Sequence, residues 1–173
     1  MKNKLIVILI AILTILVSCK TAPQEGFPEL EGKYATFSGE EGWKITYPYN
    51  WVVKYPENND VGFYAPKTKN EIDAGIGVKI LEIKKGSIED LVKEVEKRTQ
   101  NIDKKKFYFR GLEAYEATYE FPVLKSGKKI EMKTSQRYII SENKLFIITY
   151  AAEKKDFEAF KEIANKIMNS FET

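Results

Sequence analysis

The chain has 173 residues, of which 43% are hydrophobic and 31% charged, with 10 Gly and 6 Pro. This excludes a disordered, collagen-like or low-complexity protein, and the length suits one ordinary domain rather than a multidomain enzyme. One Cys cannot close an intrachain disulfide or make a paired-thiolate metal site, and the absence of His excludes Ser-His-Asp and Cys-His catalytic centres. A net charge of +3, with acids and bases interspersed, argues against nucleic acid as a partner.

The N-terminus carries the strongest signal. Lys2 and Lys4 precede an apolar run from Leu5 to Val17, interrupted only by Thr14. A spanning helix needs about 20 apolar residues, so the run is too short to cross a bilayer but fits the core of a secretory signal peptide. It leads into Leu16-Val17-Ser18-Cys19, which resembles the lipobox of bacterial lipoproteins. In that family a diacylglycerol joins the cysteine sulfur and a dedicated peptidase cuts just before it. The resemblance implies that residues 1–18 are a signal peptide, that Ser18 is the last residue removed, and that Cys19 is the lipidated first residue. The alternatives are an ordinary signal peptide followed by a chance cysteine, or an uncleaved anchor. The lone cysteine stands where the lipid would take it. Lys20 occupies the place where some two-membraned bacteria carry an inner-membrane retention aspartate, so that signal is absent. Removing Lys2 and Lys4 leaves bases and acids nearly balanced.

Residues 19–32 comprise Cys19 and a Pro- and Gly-containing stretch without apolar periodicity, the composition of a flexible tether. Residues 33–173 read as one domain. Tyr34–Phe37 and Trp43–Tyr47 are expected as strands joined by Ser38-Gly39-Glu40-Glu41-Gly42, and Pro48 should end the second because it has no N–H to donate. Val52–Tyr55 and Val61–Tyr64 flank Pro56–Asp60 as a hairpin. Gly75–Ile83 predicts a longer strand with Ile76, Val78 and Ile80 on one face. A helix should follow, capped by Ser87 and Asp90, with Ile88, Leu91, Val92 and Val95 as its apolar stripe and Lys93, Glu94, Glu96, Lys97 and Arg98 as its wet side. Phe107–Phe109 is a short predicted strand. In Glu113–Phe121, Tyr115, Ala117, Tyr119 and Phe121 are expected to face inward and Glu116, Thr118 and Glu120 outward. Lys128–Ile140 alternates similarly. Lys144–Ala151 is apolar on both faces, which predicts a central strand. Asp156 should cap a last helix with Phe157, Phe160, Ala164 and Ile167 along one stripe, extended by Phe171. The pattern is α+β, with a mainly antiparallel sheet.

Trp43-Lys44-Ile45-Thr46-Tyr47-Pro48 with Trp51, and Gln136-Arg137-Tyr138 followed by Phe146-Ile147-Ile148-Thr149-Tyr150, resemble the PsbP-like family. The resemblance spans Tyr34 to Phe171. It implies a central antiparallel sheet sandwiched between helices, an α-β-α sandwich, used as a binding or assembly module rather than a catalyst. The histidine-containing metal sites of some plant members have no counterpart here, and neither photosynthesis nor Ran binding transfers.

Candidate sites follow from residue chemistry. Trp43, Tyr47, Tyr49, Trp51 and Tyr55 cluster along the chain, and aromatic side chains recur at binding surfaces. The tryptophans also suit a plug at the end of the fold, whereas Tyr49 beside Pro48 should be exposed. The candidate partner-binding residues are Tyr47, Tyr49, Trp51 and Tyr55. Glu57, Asn58, Asn59 and Asp60 offer oxygen ligands of the kind calcium takes, but consecutive placement is the pattern of a turn. Glu113, Glu116 and Glu120 are expected to make cross-strand ion pairs rather than an acid–base couple. Lys104-Lys105-Lys106 reads as an exposed basic loop. The functional expectation is a monomeric extracytoplasmic lipoprotein held at a membrane through Cys19, on the outer face of the cell membrane or the periplasmic face of an outer membrane. It would act as a non-catalytic module for an envelope protein, without cofactor, metal or nucleic acid. The alternative is a small carrier or hydrolase with a pocket between sheet and helix.

Overall fold

The computed structural model describes residues 33–40, 42–55, 61–66, 74–83, 90, 93, 102–125 and 127–173. The signal peptide, Ser18, Cys19, the tether and Glu57–Asp60 lie outside them. Strands β1 (Tyr34–Ser38) and β2 (Lys44–Pro48) form a two-stranded antiparallel ribbon. Seven further strands make one sheet: β3 (Val52–Lys54), β4 (Val61–Tyr64), β5 (Ala74–Glu82), β6 (Asp103–Phe109), β7 (Leu112–Lys125), β8 (Lys128–Ser141) and β9 (Lys144–Glu153). Their spatial order is β3-β4-β5-β9-β8-β7-β6. Two antiparallel meanders, β3–β5 and β6–β9, are thus joined where β9 pairs with β5. The expected central strand is β9: every residue from Leu145 to Ala152 is buried, as an apolar run on both faces requires.

Helix α1 (Phe157–Asn169) lies on one face of the sheet and buries Phe157, Ala164, Ile167 and Met168. The ribbon shares that face. Phe37 and Tyr47 pack on Phe63 of β4, and Trp43 meets Phe171 just past the helix. Ile76, Val78, Ile139, Phe146, Ile148 and Tyr150 supply the floor of this core. A second cluster on the opposite face holds Ala117, Tyr138, Leu145 and Ile147.

Of the expected sandwich, the mainly antiparallel sheet is present; among the described residues α1 is the one complete helix, and the architecture is sheet-dominated, without a clear second helical layer. The other predicted helix, Ser87–Arg98, lies outside the described residues except for Asp90 and Lys93, both helical and ion-paired at 3.7 Å. Asp156 occupies the N-cap position of α1, but its backbone is α-helical and its side chain makes no capping bond.

Candidate functional site

The aromatic cluster divides on folding. Pro48 ends β2, and the Trp51 N–H donates to the Pro48 carbonyl at 2.9 Å, a tight turn that returns the chain to the sheet. Trp51 is left 5% exposed and Trp43 equally so, its ring 5.3 Å from Phe37 and 5.8 Å from Phe171. Tyr47 packs its ring 4.7 Å from that of Phe63. Trp51 and Tyr47, expected at a partner-binding surface, are therefore committed to packing. Tyr49 and Tyr55 are 61% and 71% exposed. They do not form one site. Tyr49 donates its N–H to the Lys33 carbonyl at 3.0 Å, and Tyr34 stands opposite Pro48, so Tyr34 and Tyr49 share the open end of the ribbon. Tyr55 approaches Phe37, next to the ribbon's turn, with ring centroids 6.1 Å apart. Lys166 of α1 reaches the Tyr34 end. Glu162, 2.8 Å away, holds its ammonium above the usual lysine value, and Tyr34 adds to the shift. This end presents the exposed rings of Tyr34 and Tyr49, with the Lys166 ammonium near Tyr34.

The acidic residues also sort differently from the alternation pattern. Along β7, Glu116, Thr118 and Glu120 share the α1 side of the sheet with the fully buried Ala114, while Glu113 points to the other side. The face expected to be wet is therefore partly covered. Glu116 accepts from Arg137 Nε at 3.3 Å and Nη2 at 2.9 Å. Arg137 Nη1 donates to the Met168 carbonyl and to Asn169 Oδ1, and its guanidinium lies over the rings of Phe107 and Phe109. Arg110 donates to the Asn169 carbonyl and to Glu172. Two guanidinium groups thus complement the negative end of the helix dipole. Glu113 pairs with Lys106 at 2.9 Å and Glu120 with Lys154 at 2.6 Å. Each carboxylate has its own cation, and Glu113 is separated from the other two by the sheet. Lys104-Lys105-Lys106 is not a loop: it lies on β6, the edge strand.

A buried polar network escaped the sequence reading. Gln136 Oε1 accepts from the Tyr119 hydroxyl at 2.8 Å and from the Tyr138 hydroxyl, while its Nε2 donates to Thr149 Oγ1 at 3.1 Å. Burial pushes the Tyr119 phenol well above its ordinary value and does the same to Tyr138, where Tyr119 adds to the effect. The signal was present as Thr134-x-Gln136-x-Tyr138 on one face, with Tyr119 paired to Thr134. A neutral, satisfied network of this kind specifies register. Between sheet and α1 pack Tyr150, Phe157 and Ile167, and the Tyr150 hydroxyl donates to the Phe157 carbonyl at 2.6 Å. Among the described residues no group of three His, Cys, Asp or Glu could hold a metal ion, and no helix is long and apolar enough to cross a membrane.

No family model matches the chain, and no curated protein matches its sequence. Solved structures do match its fold. The cyanobacterial PsbP protein CyanoP from Synechocystis sp. PCC 6803 superimposes with a TM-score of 0.54 at 16% identity, covering 90% of this chain and 98% of that one. PA94, a protein of unknown function from Pseudomonas aeruginosa, gives 0.56 at 13% identity over 82% of this chain and 98% of its own. LpqN of Mycobacterium tuberculosis, involved in cell envelope biogenesis, gives 0.51 at 11% identity over 80% and 89%. At these identities the likeness is one of fold, and it is to the PsbP-like fold that this sheet-dominated chain is similar.

Proposed function

We propose that this chain is an extracytoplasmic lipoprotein, anchored through a lipid on Cys19, whose PsbP-like domain acts as a non-catalytic binding or assembly module for an envelope protein. The observation that carries the reading is Leu16-Val17-Ser18-Cys19 directly after a basic, apolar leader, with Cys19 the sole cysteine of the chain. Two or three acyl chains, each contributing about 0.8 kcal/mol per buried CH₂, anchor a domain firmly. The fold neighbour LpqN, involved in cell envelope biogenesis, supports an envelope setting. A non-catalytic role is supported by the lack of His and by the pairing of Glu113, Glu116 and Glu120 with cations. Tyr34 and Tyr49 are the docking residues in this reading.

Cells fed an alkyne fatty acid test it. The wild-type protein should take up label and sediment with membranes, whereas Cys19→Ser should lose the label and keep its leader. Equal labelling of the two proteins, or an unlabelled wild type, overturns the anchor. A photoreactive side chain at Tyr49 should capture an envelope protein in living cells. Recovery of the bait alone at native abundance overturns the module.

A further inference from the structure

We propose that the tip of the β7–β8 hairpin dips into the headgroup layer of an anionic bilayer. The proposal rests on the lipid-anchor reading, which holds the domain at a membrane.

The hairpin outruns its sheet. β6 pairs with β7 only as far as Thr118, and β9 pairs with β8 only from Met132 onward. At Pro122↔Glu131 the Glu131 carbonyl still accepts from the Lys154 N–H at 2.9 Å, and beyond that pair the two strands bond only to each other among the described residues, through Val123↔Ile130, Leu124↔Lys129 and Lys125↔Lys128. At ~3.4 Å per residue, three pairs project roughly 10 Å past the neighbouring strands. A projection of this kind is ordinarily polar, because an isolated two-stranded ribbon has no core to bury. This one is not. Leu124 is 77% exposed, the largest value among the exposed large hydrophobic residues described, and Val123 and Ile130 are half-buried against each other's strand. Lys125, Lys128 and Lys129 surround the turn, and no acid occurs between Phe121 and Ile130. Glu131 stands at the base and pairs with Lys129 at 3.2 Å.

An exposed apolar side chain, one pair back from a turn flanked by lysines whose long stems let the ammonium groups reach back to the phosphates, is the composition of an interfacial element. The leucine enters the headgroup–acyl boundary, and the ammonium groups meet lipid phosphates. Past Glu131 the outer backbone edges of the projecting strands have no ladder partners among the described residues, which limits the depth to the hydrated headgroup layer and excludes the hydrocarbon core. An acidic envelope protein is the competing occupant. The bilayer is favoured because the anchor supplies it at high local concentration, and because Leu124 is a single apolar tip rather than an apolar patch of interface size.

Full-length lipoprotein carrying Leu124→Cys tests this, since lipid occupies the native thiol and an environment-sensitive NBD label takes the new one. Intact mass first confirms the lipid on Cys19. In vesicles containing phosphatidylglycerol the label should shift to the blue and resist dithionite. In pure phosphatidylcholine, or in high salt, it should remain open. K128Q/K129Q should lower the inserted-to-free ratio about 25-fold, at about fivefold per lysine. The same label at Tyr108→Cys on β6, where the native side chain is exposed, marks full accessibility. A label at 124 as open to dithionite as one at 108 on anionic vesicles overturns the proposal. So does protection that arises only after envelope proteins are added, which would identify a protein partner. Should Cys19 prove bare, the anchor reading fails separately, and C19S/L124C added to the same vesicles still reads the tip.

Discussion

Tyr119, Tyr138 and Tyr150 show how a phenol behaves once its surroundings are set. All three are buried, and in each burial is the first cause holding the proton on above the ordinary value near 10. For Tyr150 the carboxylates of Glu158 and Asp156 push the same way. Above pH 10 the unfolded chain releases these protons and the folded chain retains them, so the unfolded state binds fewer and stability falls as pH rises. Each such phenol removes about 1.4 kcal/mol per pH unit in that range. Lys154, Lys155 and Lys166, raised chiefly by hydrogen bonds to Glu120, Glu153 and Glu162, act in the same direction, since their pairing is lost as they deprotonate. Urea midpoints should therefore be flat up to pH 9 and drop steeply beyond 10. Tyr138→Phe should shallow that drop by one proton's slope. An unchanged slope in this variant would mean that the phenol ionises in the folded protein.

At the scale of elements, turns decide what the ribbon can bury. Gly39 donates to the Trp43 carbonyl, and Gly42, at φ +86°, donates back to Gly39, which folds the indole of Trp43 flat over Gly39. A Cβ at position 39 would fall inside that indole. Gly39→Ala should thus displace Trp43 from Phe37 and Phe171 and cost about 2 kcal/mol, in the range of overpacked cores. Denaturation followed by tryptophan fluorescence measures it, and a cost within about 0.5 kcal/mol, the range of surface changes, would show that the indole does not need this seat. The glycines mark the turn in the sequence, but the contact with Trp43 is tertiary and leaves no local trace. The same division recurs elsewhere. β9 was legible because Lys144–Ala151 is apolar on both faces, and only a central strand accommodates that. Glu116 and Arg137 were not. Strand alternation assigns them to one face of β7 and β8, but whether water or the end of α1 covers that face depends on residues 168–169, far along the chain. Tyr49 was legible as exposed from its neighbour Pro48, whereas the separation of Tyr55 from it follows from pairings that no local pattern encodes.

The molecule as a whole is closed by its last residues. Thr46 donates to Ser170 Oγ at 2.8 Å, Ser170 Oγ returns a bond to the Thr46 carbonyl at 3.1 Å, and Lys44 and Glu172 exchange two backbone bonds of 2.9 Å. Phe171, fully buried, fills the space between Trp43 of the ribbon and Phe146 of β9. Contacts separated by 124 residues thus tie the start of the domain to its end, which makes the ribbon dependent on the C-terminus although its own hairpin is local. Phe171→Ala removes a buried ring and should cost about 4 kcal/mol, a large share of the 5–15 kcal/mol typical of a domain. Deleting residues 170–173 should go further and free the ribbon while the seven-stranded sheet persists, because β5, β9 and β8 pair without it. Amide exchange separates the two effects. Protection should vanish in β1 and β2, together with a red shift of Trp43 emission, and survive in Leu145–Ala152. Uniform loss of protection across both sheets would instead mean that ribbon and sheet fold as one cooperative unit, with the C-terminal bridge contributing to all of it.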